Sequence, residues 1–133
     1  LTAISVVTSG EKSHLRVLKK VKERFVKDWL DIIVLGHLSK RECSGYDLIS
    51  YVQERFGFLV SSGTVYSLLY SLERNGLVVG KWVERRRAYV LTEKGAAQLV
   101  AVCASKAQLV VLLGEVFQTN SSAESTDVEM LGS

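Results

Sequence analysis

Between Ser61 and Thr92 the periodicity of the chain changes, and that change narrows the available folds more than any other feature. Ser61-Ser62-Gly63-Thr64 is a polar entry containing a glycine. Val65, Leu68, Leu69 and Leu72 then recur at three- and four-residue steps, which places them on one helix face. Asn75-Gly76 is a helix stop. Leu77 to Val83 and Arg87 to Thr92 each alternate and are rich in Val, Tyr and Trp, so they read as strands. Glu84-Arg85-Arg86 leaves room between them only for a tight turn, without the Gly or Asn that favoured hairpin turns use. The order is helix, stop, arginine-tipped hairpin.

The preceding sequence supplies further helices. Leu15, Leu18, Val21, Phe25 and Trp29 share one face of an N-terminal helix, and most of Lys19, Lys20, Lys22, Glu23 and Lys27 fall on the other. Those lysines read as a solvated face. Asp28 or Asp31 borders a second helix holding Ile32, Ile33, Leu35 and Leu38, apolar nearly all round and so central. Ser44 is an N-cap for a third helix, through Tyr46, Leu48, Ile49, Val52 and Phe56, which Gly57 stops. Ser61 or Ser62 caps the helix that runs to about Arg74.

After the hairpin, Thr92 and Glu93 open a long helix. Leu99, Val102, Lys106, Leu109, Leu113 and Val116 follow the spacing of a coiled-coil seam with one polar break. A span of bilayer is the rival reading for Ala96 to Phe117. Lys106 at its centre would cost about 2.5–3.5 kcal/mol there, which favours a helix packed on a protein partner. The Ser-, Thr- and acid-rich stretch 119–133 reads as a disordered tail. The expected organisation is therefore an N-terminal extension and helix over 1–28, a body over 29–95, an association helix over 96–118 and the tail. The fold class is mainly α with a small β-hairpin, a winged helix-turn-helix carrying an added N-terminal helix and a long C-terminal helix.

In such a fold the helix 61–74 enters the major groove of duplex DNA by its N-terminal residues. Ser61, Ser62, Thr64 and Ser67 offer hydroxyls there, and free backbone N–H groups suit a phosphate oxygen. Gly63 allows close backbone approach. Tyr66 and Tyr70, four apart, share a face and can offer a hydroxyl to a phosphate or a ring to a thymine methyl. Their plain alternative is half-buried packing. Arg85, Arg86 and Arg87 at the hairpin tip would lie along a neighbouring groove or the backbone, with Lys81 in support. Consecutive strand residues alternate faces, so the three arginines cannot all reach one target. No Arg, Asn or Gln stands in the first turn of the helix, so bidentate base readout is not expected there.

These residues resemble the PadR family of transcriptional regulators. The resemblance runs from about Trp29 to Gly95. It is carried by Leu35-Gly36-His37-Leu38, by Ser44-Gly45-Tyr46-Asp47-Leu48, and by Phe56-Gly57-Phe58-Leu59-Val60-Ser61-Ser62-Gly63-Thr64-Val65-Tyr66. Leu72-Glu73-Arg74-Asn75-Gly76-Leu77-Val78 and Arg85-Arg86-Arg87-Ala88-Tyr89-Val90-Leu91-Thr92-Glu93-Lys94-Gly95 complete it. The resemblance implies a homodimeric winged-helix repressor that dimerises through its C-terminal helix, often with a small-molecule inducer. Ser62 stands where the family usually has proline, the family's wing is often longer and glycine-containing, and the N-terminal helix is an addition.

Charge distribution agrees with a nucleic-acid-binding body joined to an assembly element. Residues 1–31 carry seven Lys and Arg against four Asp and Glu, residues 32–95 nine against six, and residues 96–133 one against four. No catalytic residues, cofactor or metal are expected: His14, His37, Cys43 and Cys103 lack metal-ligand spacing, and no phosphate loop or nucleophile motif occurs. Cys43 and Cys103 read as reduced, buried thiols, which with the lack of a targeting segment gives a cytoplasmic protein. The expected function is a homodimeric, sequence-specific double-stranded DNA-binding regulator, a repressor reading an inverted repeat. Its dimer interface is expected at Leu99, Val102, Leu109, Leu113 and Val116, joined by Leu18, Phe25 and Trp29. The rivals are a winged helix serving as a protein-interaction module and a non-specific architectural DNA binder.

Overall fold

The computed structural model describes residues 9–118. Helix α1 (Ser9–Asp28) ends at Trp29, whose backbone (φ −106°, ψ 19°) turns the chain into α2 (Leu30–Leu38). Val26 is the buried residue of α1, whereas α2 buries Leu30, Val34, Leu35 and Leu38. The all-round apolar pattern of α2 therefore marks the central helix, as expected.

Helix α3 (Gly45–Phe56) starts on a complete capping box. The Ser44 hydroxyl accepts from the Asp47 amide at 3.1 Å, and the Asp47 carboxylate accepts from the Ser44 amide at 3.0 Å. Gly57 ends the helix in the left-handed region at φ 79°. Helix α4 (Ser62–Arg74) is capped by Ser61, and it finishes in a Schellman turn. Gly76 takes φ 76°, its amide reaches the Glu73 carbonyl, and the Leu77 amide reaches the Leu72 carbonyl at 2.9 Å. That turn reverses the chain directly into the hairpin.

The hairpin pairs β2 (Val78–Val83) with β3 (Arg86–Leu91), and Val83 faces Arg86 across a two-residue loop. A third strand, β1 (Cys43–Ser44), adds antiparallel to β3 with Cys43 opposite Tyr89 and Ser44 opposite Ala88. The sheet order is β1-β3-β2, one strand more than the expected hairpin. Two residues are too few to show alternation, and the polar run Ser39 to Glu42 before them reads as a loop. One core joins α2, α3, α4 and the sheet through Leu35, Leu48, Val52, Val65, Leu69, Leu72, Leu77, Val78 and Tyr89.

The expected single C-terminal helix is two helices, α5 (Glu93–Ala104) and α6 (Lys106–Val116), broken at Ser105. The Ser105 hydroxyl bonds the Ala101 carbonyl at 3.1 Å, and the Ser105 amide turns to the Val102 carbonyl at 3.0 Å. Such back-bonding weakens and bends helices. The chain divides into two compact units, one through Leu99 and the other from Val100. Leu99 packs on the core of the first. In the second, α6 buries none of its residues. Among the described residues no single helix is long and apolar enough to cross a membrane. The stretch 119–133, expected as a tail, lies outside the described residues.

Candidate nucleic-acid interface

The first turn of α4 is built to leave polar groups outward. Val65, Leu69 and Leu72 are buried on the core side of the helix. The remaining faces expose Ser61, Ser62, Gly63, Thr64, Tyr66, Ser67 and Tyr70. Ser61 and Thr64 serve the cap: the Ser61 hydroxyl accepts from the Thr64 amide at 3.2 Å and shares a 2.8 Å bond with the Thr64 hydroxyl. The Ser62 and Gly63 amides, first in the helix, have no carbonyl in the preceding turn to bond. Tyr66 is 47% exposed, and its ring lies over Gly45, where any Cβ would collide with it. Tyr66 therefore packs against the start of α3 and keeps its outer edge to solvent. Tyr70 is 66% exposed, with the Arg74 guanidinium 5.7 Å from its ring centroid.

The arginine cluster divides as strand alternation requires. Arg86 turns toward α3, where its Nη2 donates to the Ser44 hydroxyl at 2.6 Å and to Asp47 at 3.0 Å. Arg87 turns toward α4 and donates to both carboxylate oxygens of Glu73, at 3.0 and 2.9 Å. Its guanidinium also lies near the rings of Trp82 (5.9 Å) and Tyr89 (5.8 Å). Lys81 pairs with Glu42 at 2.8 Å. Arg85, at the tip, is exposed and pairs with no acidic side chain among the described residues.

These bonds set the charge states of the carboxylates. The Ser44 amide, ahead of Arg86, holds the Asp47 carboxyl below its ordinary value. The Gly80 amide, donating at 2.7 Å, and then Arg87 do the same for Glu73. Bonding to Glu73 in turn raises the Arg87 guanidinium.

Sequence reasoning located the arginines and missed their partners. Ser44, Asp47 and Glu73 join the site as anchors, and Tyr46 and Trp82, each 68% exposed, line the same surface between α3, α4 and the hairpin. The capping-box spacing Ser44-x-x-Asp47 was a local signal for one anchor. No local signal marks Glu73.

The candidate assembly residues lie elsewhere. Leu18, Phe25 and Trp29 on and next to α1 are exposed, as are Leu113 and Val116, and Val102 and Leu109 are half-buried. Leu99 is half-buried against the core of its own chain. Cys43 is buried, and burial pushes its thiol up. Cys103 is exposed, contrary to the expectation of a buried thiol. The possible metal ligands do not gather: among the described residues no group of three His, Cys, Asp or Glu side chains could hold a metal ion.

A capped helix whose start faces outward, reversed by a Schellman turn into an arginine-tipped hairpin, defines a winged helix-turn-helix protein. The sequence matches the transcriptional regulator PadR-like family over residues 34–101, just over half its length, and the chain belongs to that family. It is a transcriptional regulator and not an enzyme. No curated protein matches it by sequence. Among solved structures, a PadR family regulator from Eggerthella lenta shares the fold at 24% identity and TM-score 0.67, over 82% of this chain and 99% of that one. A PadR-like regulator from Bacillus cereus is 25% identical with TM-score 0.62, over 73% and 99% of the two chains. Bacillus subtilis PadR, solved in complex with operator DNA, is 28% identical with TM-score 0.52, over 56% of this chain and 46% of that one.

Proposed function

We propose that this regulator is a homodimeric repressor that binds duplex DNA at an inverted repeat. One observation carries the reading. Tyr66 at the start of α4 and Arg85 at the hairpin tip line one surface with Tyr46 and Trp82, and Arg85 pairs with no acidic side chain among the described residues. That a relative from B. subtilis is solved in complex with operator DNA supports duplex DNA as the partner. Ser62, Gly63, Ser67, Tyr66 and Tyr70 meet the major groove, with hydroxyls and free amides toward phosphates. Ser61 and Thr64 hold that helix start in shape. Arg85 reaches along the neighbouring groove, and Arg86, Arg87 and Lys81 add positive potential from fixed positions. The apolar side chains of α6, together with Leu18, Phe25 and Trp29, form the dimer contact, and two-fold symmetry spaces the half-sites by about one helical turn or a multiple of it.

The test is fluorescence anisotropy of the full chain against a random-sequence duplex pool, titrated with salt and followed by sequencing of the retained duplexes. Enrichment of an inverted repeat, with affinity falling steeply as salt rises, is expected. Transcription from a promoter carrying that repeat should fall on adding the protein. Salt-sensitive binding without an enriched motif would leave an architectural binder. No binding at low salt would turn the exposed α4 face into a protein-docking surface.

A further inference from the structure

We infer that Glu73 is a positioning residue that fixes the reach of the arginine tip relative to α4, and thereby governs DNA specificity without touching DNA. The inference rests on the DNA-binding reading above. Glu73 lies in the last turn of α4, at the opposite end from the groups that face the groove. Its carboxylate fastens both strands of the hairpin. On β2 it accepts the Gly80 amide at 2.7 Å, and on β3 it accepts both bonds from Arg87. Gly80 faces Tyr89 in the ladder and Trp82 faces Arg87, so the carboxylate grips the middle of the hairpin.

The packing around it leaves little play. A Cβ at Gly80 would collide with the Arg87 guanidinium, so the absence of a side chain there lets that group lie across β2. Trp82 and Tyr89 flank the same guanidinium. From Arg87 to Arg85 is two residues, about 7 Å of extended chain. The tip is thus a short arm whose base is held on the α3 side by Arg86 bonded to Ser44 and Asp47, and on the α4 side by the Glu73 carboxylate, which grips both strands. An exposed ion pair alone adds little stability. Three charge-assisted bonds converging from two strands instead define a direction.

The experiment compares wild type with Glu73→Ala, Glu73→Gln and Gly80→Ala. Each is titrated against the duplex enriched from the pool and against a scrambled duplex of equal composition. Hydrogen exchange at the residue 80 amide is followed in wild type and the two Glu73 variants. Glu73→Ala should weaken binding to the enriched duplex about tenfold. Binding to the scrambled duplex should hold or rise, because a negative charge has gone and Arg87 is released. The Gly80 amide should exchange faster while core amides do not change. Glu73→Gln, which keeps an acceptor oxygen but no charge, should fall between. Gly80→Ala, which displaces Arg87 and leaves the carboxylate, should lose discrimination in the same way and gives a second route should Glu73→Ala not fold. An unchanged ratio of the two affinities in the variants, or an equal loss on both duplexes, would overturn the inference. Unaltered Gly80 exchange in Glu73→Ala would overturn the anchor itself. Wild type that does not discriminate between the duplexes would instead refute the DNA-binding reading, while the exchange data still decide whether Glu73 holds the hairpin.

Discussion

A side chain at position 95 would have nowhere to go. Gly95 is buried at the start of α5, and a Cβ there would run into the Leu77 carbonyl oxygen and stand 2.7 Å from Leu91 Cδ1. Gly95→Ala should therefore lower stability by about 1–3 kcal/mol, seen as a lower urea midpoint at unchanged slope. Gly114 in α6 meets nothing within 4 Å, so Gly114→Ala should raise stability by about 0.5–1 kcal/mol in the same assay. Arg85 is a second residue whose environment makes a sharp prediction. Because it has no acidic partner among the described residues, Arg85→Ala should reduce the slope of log affinity against log salt by about one per half-site. Lys81→Ala should change that slope less, since Lys81 already faces Glu42. The sequence showed which residues carry positive charge. It could not show which of them are already matched, because the pairs Arg86–Asp47 and Arg87–Glu73 form only once the hairpin lies over two helices.

Among the described elements, the hairpin carries backbone strain at its turn. Glu84 takes φ 57°, which a residue with a side chain adopts at a cost of about 1–2 kcal/mol. Glu84→Gly should recover about 1 kcal/mol of that, read as a rise in melting temperature. The hairpin's anchors also give it a pH response. Both carboxyls titrate below their usual values of 3.8 for Asp47 and 4.5 for Glu73. A depressed folded-state pKa means stabilisation that is present above the unfolded value and lost as pH falls through the folded one. The anchors should stay closed at neutral pH and open in acid. The Gly80 amide shift should titrate with a midpoint below 4.5, and a midpoint at or above that value would contradict the Glu73 bond. Elements with long periodic runs or strong caps were legible in the sequence: α2, α3 from Ser44 to Gly57, and α4 from Ser61 to Gly76. Two features were not. β1 is too short to carry a period, and the apolar spacing runs straight through Ser105, where the hydroxyl bonds back to the Ala101 carbonyl and α5 gives way to α6.

At the scale of the whole molecule, apolar surface remains exposed on α1 and, separately, on α6. Leu15, Val17 and Leu18 on α1 are 59%, 59% and 48% exposed, and Val110, Val111, Leu112 and Val116 on α6 all exceed half. Single exposed apolar residues are ordinary, but runs of this kind mark contact surfaces. Leu113→Glu should shift the chain to monomer in sedimentation velocity and weaken binding to an inverted repeat while sparing the melting of the core. A dimer of unchanged strength would remove α6 from the contact. Leu99→Glu should instead lower core stability, since that residue packs inward. The association seam read from spacing was thus partly mixed with core, because three- and four-residue periodicity reports a buried face without saying whose atoms bury it.

Ser44 is at once the last residue of a strand, the cap of a helix and the acceptor for a wing arginine. The hairpin is thereby fixed on one side through β1 and Asp47 and on the other through Glu73. Between those attachments and the tip, only Glu84 and Arg85 stand outside the ladder. Room to lengthen the wing is confined to that gap: residues inserted between Val83 and Arg86 would lengthen the arm and change what it touches, whereas an insertion on the body side would uncouple three elements together. The two-residue tip is the natural place to retarget this scaffold.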